Sequence, residues 1–417
     1  MRVALNVEQL LYRAPGGIGR YTAKLVTLLP RLFPEDVLLP FIALHRRGDV
    51  EQAYQRAGVD AAIAGRPIRL ALPRPLLYDA WHIAGGPALG WLSSPLRSAQ
   101  LVHAPSVAVP VVGRARLVVT VHDAAPELFP EAFPVRGRRF HSRGLRAAAR
   151  RADLVITVSE AAAAEIATHT LIPADRLRVV PGGVDLTAAS PADVECTLRR
   201  HRLTDAPYVF WLGTLEPRKN VAVLVTAFAR LLAARPDLPH RLVLAGSAGW
   251  LDEGLVPLQE RAMLRERDRL RVLGPVPDDE LRSLYAGAVL FAFPSRHEGF
   301  GLPVLEAMAQ GTPVVCADIP ALREVAGGAA RLVPPMNVEE WVAAVGDLLE
   351  GAADHPAQTT QPMAAAGRAR AAGFSWERCI ASTHAFDGST PCSRCRKWPP
   401  IESSSVSTSI RRPFRVQ

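Results

Sequence analysis

Short apolar runs alternate along this chain with longer segments whose apolar positions recur at helical period. Strands buried on both faces of a parallel sheet and joined by crossover helices produce that pattern. Two series can be separated. The first predicts strands at 3–7, 37–43, 101–103, 117–121, 154–158 and 178–180. The second predicts strands at 208–212, 241–245, 271–273, 289–293, 313–316 and 330–333, with helical patterns near 220–234, 278–286, 303–310 and 337–350. The expected fold class is therefore α/β, with two doubly wound Rossmann-like domains over residues 1–190 and 191–375. The stretch 181–207, rich in Pro, Gly, Ala and Asp, is the expected hinge between them. Ligands of open parallel sheets sit beyond the carboxyl ends of the strands, so the site is expected in the cleft where the two domains face each other. A last helix over 376–387 opens with Ser375 as N-cap. Beyond it the apolar pattern stops, and 388–417, with Pro399-Pro400 and serines at 403–405, reads as a disordered tail.

Composition narrows this picture. With 417 residues, 49% hydrophobic and 21% charged, the chain is long enough for two cores. No apolar run is long enough and free enough of charge to span a bilayer, and Met1 to Asn6 reads as a strand rather than a signal peptide, giving a cytosolic start. The five cysteines are scattered and are expected to be reduced. Cys392 and Cys395 form a C-x-x-C, but no second ligand pair follows, so no metal site is expected. The net charge of +9 is unevenly placed: six basic residues against the single acid Glu402 lie in 388–417. A second basic cluster, Arg136 to Arg151, lies on a helix whose 139/143/146/150 spacing makes one face. That face is either simply solvated or a dock for anionic lipid or an acidic acceptor. No aromatic-interleaved basic motif accompanies it, which argues against nucleic acid.

Candidate chemistry gathers in the second series. Between Ser295 and Gly311 an apolar strand gives way to Glu298, Gly299, Phe300, Gly301 and Leu302, and then to a helix with Pro303 in its first turn and Gly311 at its end. The amides of 299–302 would face a helix start where glycines let a bulky anion approach, a cradle for phosphate. Glu298 and Glu306 flank it. Carboxylates would repel a bare phosphate, so their expected task is to accept hydrogen bonds from hydroxyl groups attached to it; a nucleotide-sugar meets both demands. Arg218 and Lys219 follow the strand at 208–212 and would project into the same cleft, where two cations suit a diphosphate leaving group. An exposed basic pair at a helix start would otherwise be electrostatically unfavourable. In the first series, Gly16-Gly17-Ile18-Gly19-Arg20-Tyr21 follows the first strand but does not match G-x-G-x-x-G, so it serves equally as a tight turn. His122 ends a strand and is as readily a structural histidine as a contact for ligand. No P-loop, nucleophile-elbow or zincin motif occurs.

These residues resemble the retaining glycosyltransferases of family 4, which have the GT-B fold. The resemblance runs from about Met1 to Phe386. It rests on Glu298 to Glu306, similar to the family's E-x7-E motif, and on the following Ala307-Met-Ala-Gln-Gly-Thr-Pro-Val-Val315. Gly16-Gly17, Ile156-Thr-Val-Ser-Glu160, Val180-Pro-Gly-Gly-Val-Asp185 and Gly274-Pro-Val-Pro-Asp-Asp-Glu-Leu281 support it. The resemblance implies an acceptor-side first domain and a nucleotide-sugar-binding second domain. It implies that Glu298 contacts the donor sugar and Glu306 the ribose, that amides of Gly299, Phe300, Gly301 and Leu302, with Gly17 across the cleft, hold diphosphate and sugar, and that Arg218 and Lys219 stabilise the leaving group. Val276 would border the base and His122 would sit beside the transferred sugar.

The nucleotide-sugar is a co-substrate; no cofactor and no metal are implied. Many members place an Arg directly after the glycine that is Gly213 here, whereas this chain has Thr214 and an adjacent Arg218-Lys219. The G-T-x-x-P-R-K-N form is similar to bacterial mannosyltransferases of surface polysaccharides. It tilts the expected reaction to retaining transfer of mannose from GDP-mannose to a saccharide or lipid-linked saccharide acceptor. The expected location is the cytoplasm, with peripheral contact to the inner membrane face through 136–151. Alternatives are another GT-B enzyme using UDP- or ADP-glucose, and a non-catalytic nucleotide-sugar-binding protein.

Overall fold

The computed structural model describes residues 1–12, 16–247, 263–266, 268–354 and 357–387. The expected tail 388–417, with Cys392 and Cys395, lies outside the described residues. Two all-parallel sheets organise the rest. The first contains β1 (Arg2–Asn6), β2 (Val37–Leu44), β3 (Ile68–Pro73), β4 (Leu101–Ala104), β5 (Arg116–Thr120), β6 (Leu154–Thr157) and β7 (Leu177–Val179), in the order β3-β2-β1-β4-β5-β6-β7. The second contains β8 (Tyr208–Leu212), β9 (Arg241–Ala245), β10 (Leu270–Gly274), β11 (Leu290–Phe293), β12 (Val314–Ala317) and β13 (Arg331–Val333), in the order β10-β9-β8-β11-β12-β13. The architecture is α/β, with two Rossmann-like doubly wound sheets. In each, strand order reverses once among these strands, between β1 and β4 and between β8 and β11, which opens a crevice at that point.

The predicted strands all form, with ends displaced by a residue or so, and one strand was not anticipated. In β3 only Leu70 is fully buried, Pro73 closes the strand and, among the described residues, β2 is its sole neighbour in the sheet. An edge strand with one buried residue carries too little apolar signal to stand out in sequence.

The cores follow from the strands' continuous apolar character. Trp211, Phe210, Phe291 and Phe293 are buried in the second sheet together with Val225 and Phe228 of the Val221–Ala234 helix and Trp341 and Val345 of the Val338–Asp354 helix. The first sheet has a cluster on each face, and one of them takes in Trp376, Cys379 and Ile380 from the Trp376–Asp387 helix. That helix, capped by a hydrogen bond from the Arg378 N–H to Ser375 Oγ at 3.2 Å, packs against the Gly16–Leu32 helix. The chain thus passes through the second sheet and ends on the first. Within the connecting stretch, the Pro191–Arg200 helix packs on the second sheet's Asp278–Gly287 helix, while the Val184 N–H donates to the Phe374 carbonyl at 2.8 Å.

Two histidines are buried in the first domain's core. Burial, with Arg151 adding to it, pushes His82 down to about 4, and its Nε2 accepts from the Val109 N–H at 3.2 Å. Burial and the neighbouring His122 push His103 down to about 3. Both are neutral when folded, so the unfolded chain binds more protons below its histidine pKa of about 6.5. Stability from these groups is full above that value and is lost as pH falls from 6.5 toward 4, by about 1.4 kcal/mol per pH unit for each. Melting temperatures recorded between pH 7 and pH 4 should fall across that window, and the fall should be shallower in His82→Gln; a flat profile in the parent chain would contradict the burial argument.

Candidate active site

The loops that follow β8 and β11 meet at the second sheet's crevice, and the proposed chemistry sits on them. After β8, Pro217–Lys219 forms a single 3-10 turn and Asn220 follows in the left-handed region at φ 55. The Asn220 side chain explains that conformation: its Nδ2 donates to the Pro294 carbonyl at 3.0 Å and the Pro335 carbonyl at 2.7 Å, tying the β8 loop to the β11 loop. The Arg296 N–H donating to the Arg218 carbonyl at 2.8 Å makes a second tie.

Three charged side chains converge there. Lys219 Nζ lies 2.6 Å from Glu298 Oε1, and an Arg218 guanidinium nitrogen lies 3.4 Å from Glu298 Oε2. Arg218 also donates to Glu216 Oε1 at 2.6 Å and to the His297 carbonyl at 2.8 Å. Burial alone would raise the Glu298 carboxyl, but Lys219 and Arg218 outweigh it and hold the group below its ordinary value. Burial would likewise lower Arg218, and the surrounding Glu298, Glu216 and Asp123 instead keep it above its ordinary value. Acid and cations therefore share one site as a closely paired cluster, which suits a ligand carrying both hydroxyl groups and negative charge.

The glycine-rich turn behaves as its composition requires. Gly301 has φ 110, a conformation that disfavours a side chain, and it starts the Leu302–Gln310 helix with Pro303 in the first turn; Gly311 ends the helix at φ 76. Among the described residues, the backbone N–H groups of Gly299, Phe300 and Gly301 donate no hydrogen bond. Glu306 lies on the second turn of this helix, accepts from the Tyr285 hydroxyl at 2.9 Å and pairs with Arg20. Val276, partly buried, stands between β10 and the Asp278–Gly287 helix, two residues before Asp278, which also pairs with Arg20 at 3.1 Å.

The first domain closes on this turn. A Cβ on Gly299 would stand 2.3 Å from the His122 carbonyl oxygen, and one on Gly17 would stand 3.5 Å from Leu302 Cδ1. Ser159, which caps the Glu160–His169 helix, donates its hydroxyl to the Gly299 carbonyl at 2.6 Å. Glu324, from the second domain, accepts from the N–H groups of Glu160 and Ala161 at 2.9 and 3.0 Å at the start of the same helix. His122 donates from Nε2 to the Pro105 carbonyl at 3.0 Å, which leaves Nδ1 as acceptor in the neutral ring, and burial holds its pKa below the ordinary value.

A cavity of ≈ 1140 Å³ adjoins this junction on the first-domain side; His122 and Arg218 border it, whereas Glu298, Lys219, Gly299 to Leu302 and Glu306 do not. The structure thus brings Glu298, Lys219 and Arg218 together, sets Gly17 and His122 against the glycine turn and ties Glu306 to the first domain through Arg20, whereas Val276 has no described contact with any of them. The reach of Arg20 was not legible in sequence, although it lies one turn after Gly16 on a helix opening toward the cleft. Tyr285 carries no motif that would single it out, and Asn220, the last position of the G-T-x-x-P-R-K-N form, was given no role of its own there. Among the described residues no group of three His, Cys, Asp or Glu side chains gathers at one point.

Two facing doubly wound sheets with a phosphate-type glycine turn, paired acids and a cation pair at their junction define a GT-B sugar-nucleotide enzyme. Residues 15–188 match the family model described as Glycosyltransferase Family 4, and residues 206–351 match that of Glycosyl transferases group 1. The chain is 32% identical over 385 residues to O-antigen chain mannosyltransferase B of Escherichia coli, covering 92% of this chain and 98% of that protein. It is 35% identical over 239 residues to the MMP alpha-(1->4)-mannosyltransferase of Mycolicibacterium hassiacum, covering 56% and 54% of the two chains. Among solved structures, Anabaena HepE in complex with UDP and glucose has a TM-score of 0.68 at 21% identity, over 93% of this chain and all of that one. WaaG, a glycosyltransferase involved in lipopolysaccharide biosynthesis, has a TM-score of 0.68 at 16% identity over the same shares. The chain belongs to glycosyltransferase family 4, and it is a glycosyltransferase of GT-B fold.

Glycine substitutions separate packing from ligand approach. Gly299→Ala should destabilise the fold by about 1–3 kcal/mol, the usual cost of overpacking, seen as a lower urea midpoint at unchanged slope. Gly17→Ala meets nothing nearer than ordinary contact, so its midpoint should stay at the parent value while donor affinity falls; unchanged affinity would mean that no ligand approaches Gly17.

Proposed function

We propose that this chain transfers mannose from GDP-mannose, with retention of configuration, to a saccharide or lipid-linked saccharide acceptor in the synthesis of a surface polysaccharide or glycoconjugate. The observation that carries the reading is the Glu298 carboxylate held 2.6 Å from Lys219 and 3.4 Å from Arg218 at the second sheet's strand-order reversal. The mannosyltransferase names borne by relatives in Escherichia coli and Mycolicibacterium hassiacum support the choice of sugar.

In this reading the donor diphosphate lies on the amides of Gly299 to Leu302, with Gly17 opposite, and draws Lys219 and Arg218 away from Glu298. Glu298 then accepts from the sugar's hydroxyls, Glu306 from the ribose, and Val276 borders the base. As the bond from the anomeric carbon to the diphosphate oxygen breaks, negative charge grows on the leaving group, where the two fixed cations stabilise it most. The acceptor oxygen bonds to that carbon on the same face, and its proton passes to the departing phosphate. Neutral His122 orients the transferred sugar rather than supplying a charge. Arg218 and Lys219 do the work a metal ion would do. The acceptor enters from the first domain. The protein acts in the cytoplasm, in peripheral contact with anionic lipid through the 136–151 region; Leu76 and Ile83, exposed on the Arg74–Ile83 helix that packs against that region, support this. No helix among the described residues is long and apolar enough to cross a membrane.

A thermal-shift panel of GDP-, UDP- and ADP-sugars tests the donor: GDP-mannose should give the largest rise in melting temperature, and a UDP- or ADP-glucose preference would replace it. Lys219→Ala and Glu298→Gln should each lower turnover by about 10²-fold, the scale for losing a group that meets developing charge. Parent-like rates in both would remove the assigned roles. A chelator should leave the rate unchanged.

A further inference from the structure

Glu298 and Glu306 are both held by cations, but the cations come from different sides of the junction. Lys219 and Arg218, on Glu298, belong to the second domain, as the acid itself does. Arg20, on Glu306, belongs to the first domain, on the Gly16–Leu32 helix. Drawing Lys219 away from Glu298 rearranges one domain, whereas drawing Arg20 away from Glu306 undoes a tie between two. The donor chemistry above uses Glu306 for the ribose and leaves that tie unexplained.

The carboxylate of Glu306 is engaged at both oxygens. Its Oε2 accepts from the Tyr285 hydroxyl at 2.9 Å, and its Oε1 is paired with a guanidinium nitrogen of Arg20. Burial holds the Tyr285 hydroxyl well above the ordinary value for a phenol, so it remains a donor to the acid. The other terminal nitrogen of Arg20 donates to Asp278 Oδ1 at 3.1 Å. The two pairs are unequal. The Asp278 side chain is 74% exposed, where an ion pair contributes little, while that of Glu306 is 14% exposed and its charge needs a partner. Arg20 is therefore placed chiefly by Glu306.

Position along the helix sharpens this. Arg20 comes three positions after Gly17, which faces Leu302 of the glycine turn, and Lys24, one turn further on, is engaged by Asp185 at 2.9 Å. Asp278 comes two residues after Val276, which the donor reading sets beside the base. Both partners of Arg20 thus belong to the nucleoside end of that reading, and neither belongs to the diphosphate end, where Arg218 and Lys219 already supply positive charge.

A guanidinium and a vicinal diol offer a carboxylate the same thing, two donors side by side. Arginine keeps its proton at any working pH, so Glu306 gives up Arg20 only to a ligand that brings donors of its own. We infer that Arg20 holds the Glu306 oxygen that the donor's ribose 2′,3′-diol takes over, so that a diol-bearing nucleotide binds by displacing Arg20 from the acid. Nucleotide binding and the Arg20–Glu306 contact between the domains then exclude each other. A nucleotide without the diol leaves Arg20 where it is. Arg20 is a positioning residue in this scheme, and the ribose, rather than the diphosphate, is the part of the donor that frees it. The inference rests on the assignment of Glu306 to the ribose in the glycosyltransferase reading and adds what that acid must surrender.

The test titrates the full chain by calorimetry with GDP and with 2′,3′-dideoxy-GDP, and in parallel with UDP and its dideoxy form. The readout is the ratio of the two dissociation constants, dideoxy over ribo, because losing the long-range attraction of one cation for the diphosphate weakens both nucleotides alike. Arg20→Ala should raise that ratio about tenfold over the parent, within the usual range for coupled sites, since the diol then meets Glu306 without a competitor. Arg20→Met, which keeps an apolar stem, should give the same rise and controls for packing lost in the alanine variant. A ratio that stays at the parent value in both variants, including equal tightening of both nucleotides, would make Arg20 a packing tie or a general obstacle and overturn the inference. A lowered ratio would make Arg20 a contact of the bound ribose and overturn it as well. An unchanged ratio well above one removes the inference alone. A ratio near one in the parent and in both variants removes the assignment of Glu306 to the ribose too, and absence of GDP and UDP binding in the parent chain removes the glycosyltransferase reading.

Discussion

A carboxylate at the edge of a parallel sheet, neutralised by two cations from a neighbouring loop, is the contact on which the rest of this structure depends. Glu298, Lys219 and Arg218 are all largely removed from water. An isolated charge in such a place would cost several kcal/mol, so each requires the others. That mutual dependence fixes the β8 and β11 loops relative to one another, and Asn220 reinforces it by joining the same loops through two backbone carbonyls. The arrangement is also poised for exchange. A diphosphate can replace the carboxylate as partner of the cations, and sugar hydroxyls can replace the cations as partners of the carboxylate, with no charge left unmatched at either stage.

The first domain presses on this cluster rather than standing apart from it. Gly299 lies so close to the His122 carbonyl that no larger residue fits, and Ser159 and Glu324 hold the same junction from opposite directions. Arg20 reaches from the first domain to both Glu306 and Asp278. These contacts join the two domains, with the Glu298, Lys219 and Arg218 cluster on one side of the junction and the arginine-lined cavity on the other. The Trp376–Asp387 helix, returning to the first sheet after the second is complete, gives the two halves a shared element beyond the connecting stretch.

Much of this was legible in the residues before any coordinates. The strands announce themselves as apolar runs because parallel sheets are covered on both faces, and β3 escaped because an edge strand with only Leu70 buried needs no such run. The turn from Glu298 to Gly311 was legible for a different reason. Glycine, proline and a helix start have strong local preferences, so the φ of 110 at Gly301 and 76 at Gly311 follow from residue type. Arg218 and Lys219 were conspicuous because cations are poorly placed at the start of a helix. The same reasoning applies to Arg74 and Arg136, at the starts of two helices far apart in sequence, but only the fold shows that both border one cavity.

By itself, then, the sequence determined the period of each segment, the two doubly wound sheets and the chemistry of the glycine turn, because these rest on interactions between residues a few positions apart. Tertiary structure alone decided that Arg20 meets Glu306, that Gly299 lies against His122, and that the arginines of the 135–151 helix divide between cavity and solvent. Those outcomes depend on the distance and rotation between two sheets, quantities set by the sum of many packing contacts and carried by no single stretch of chain.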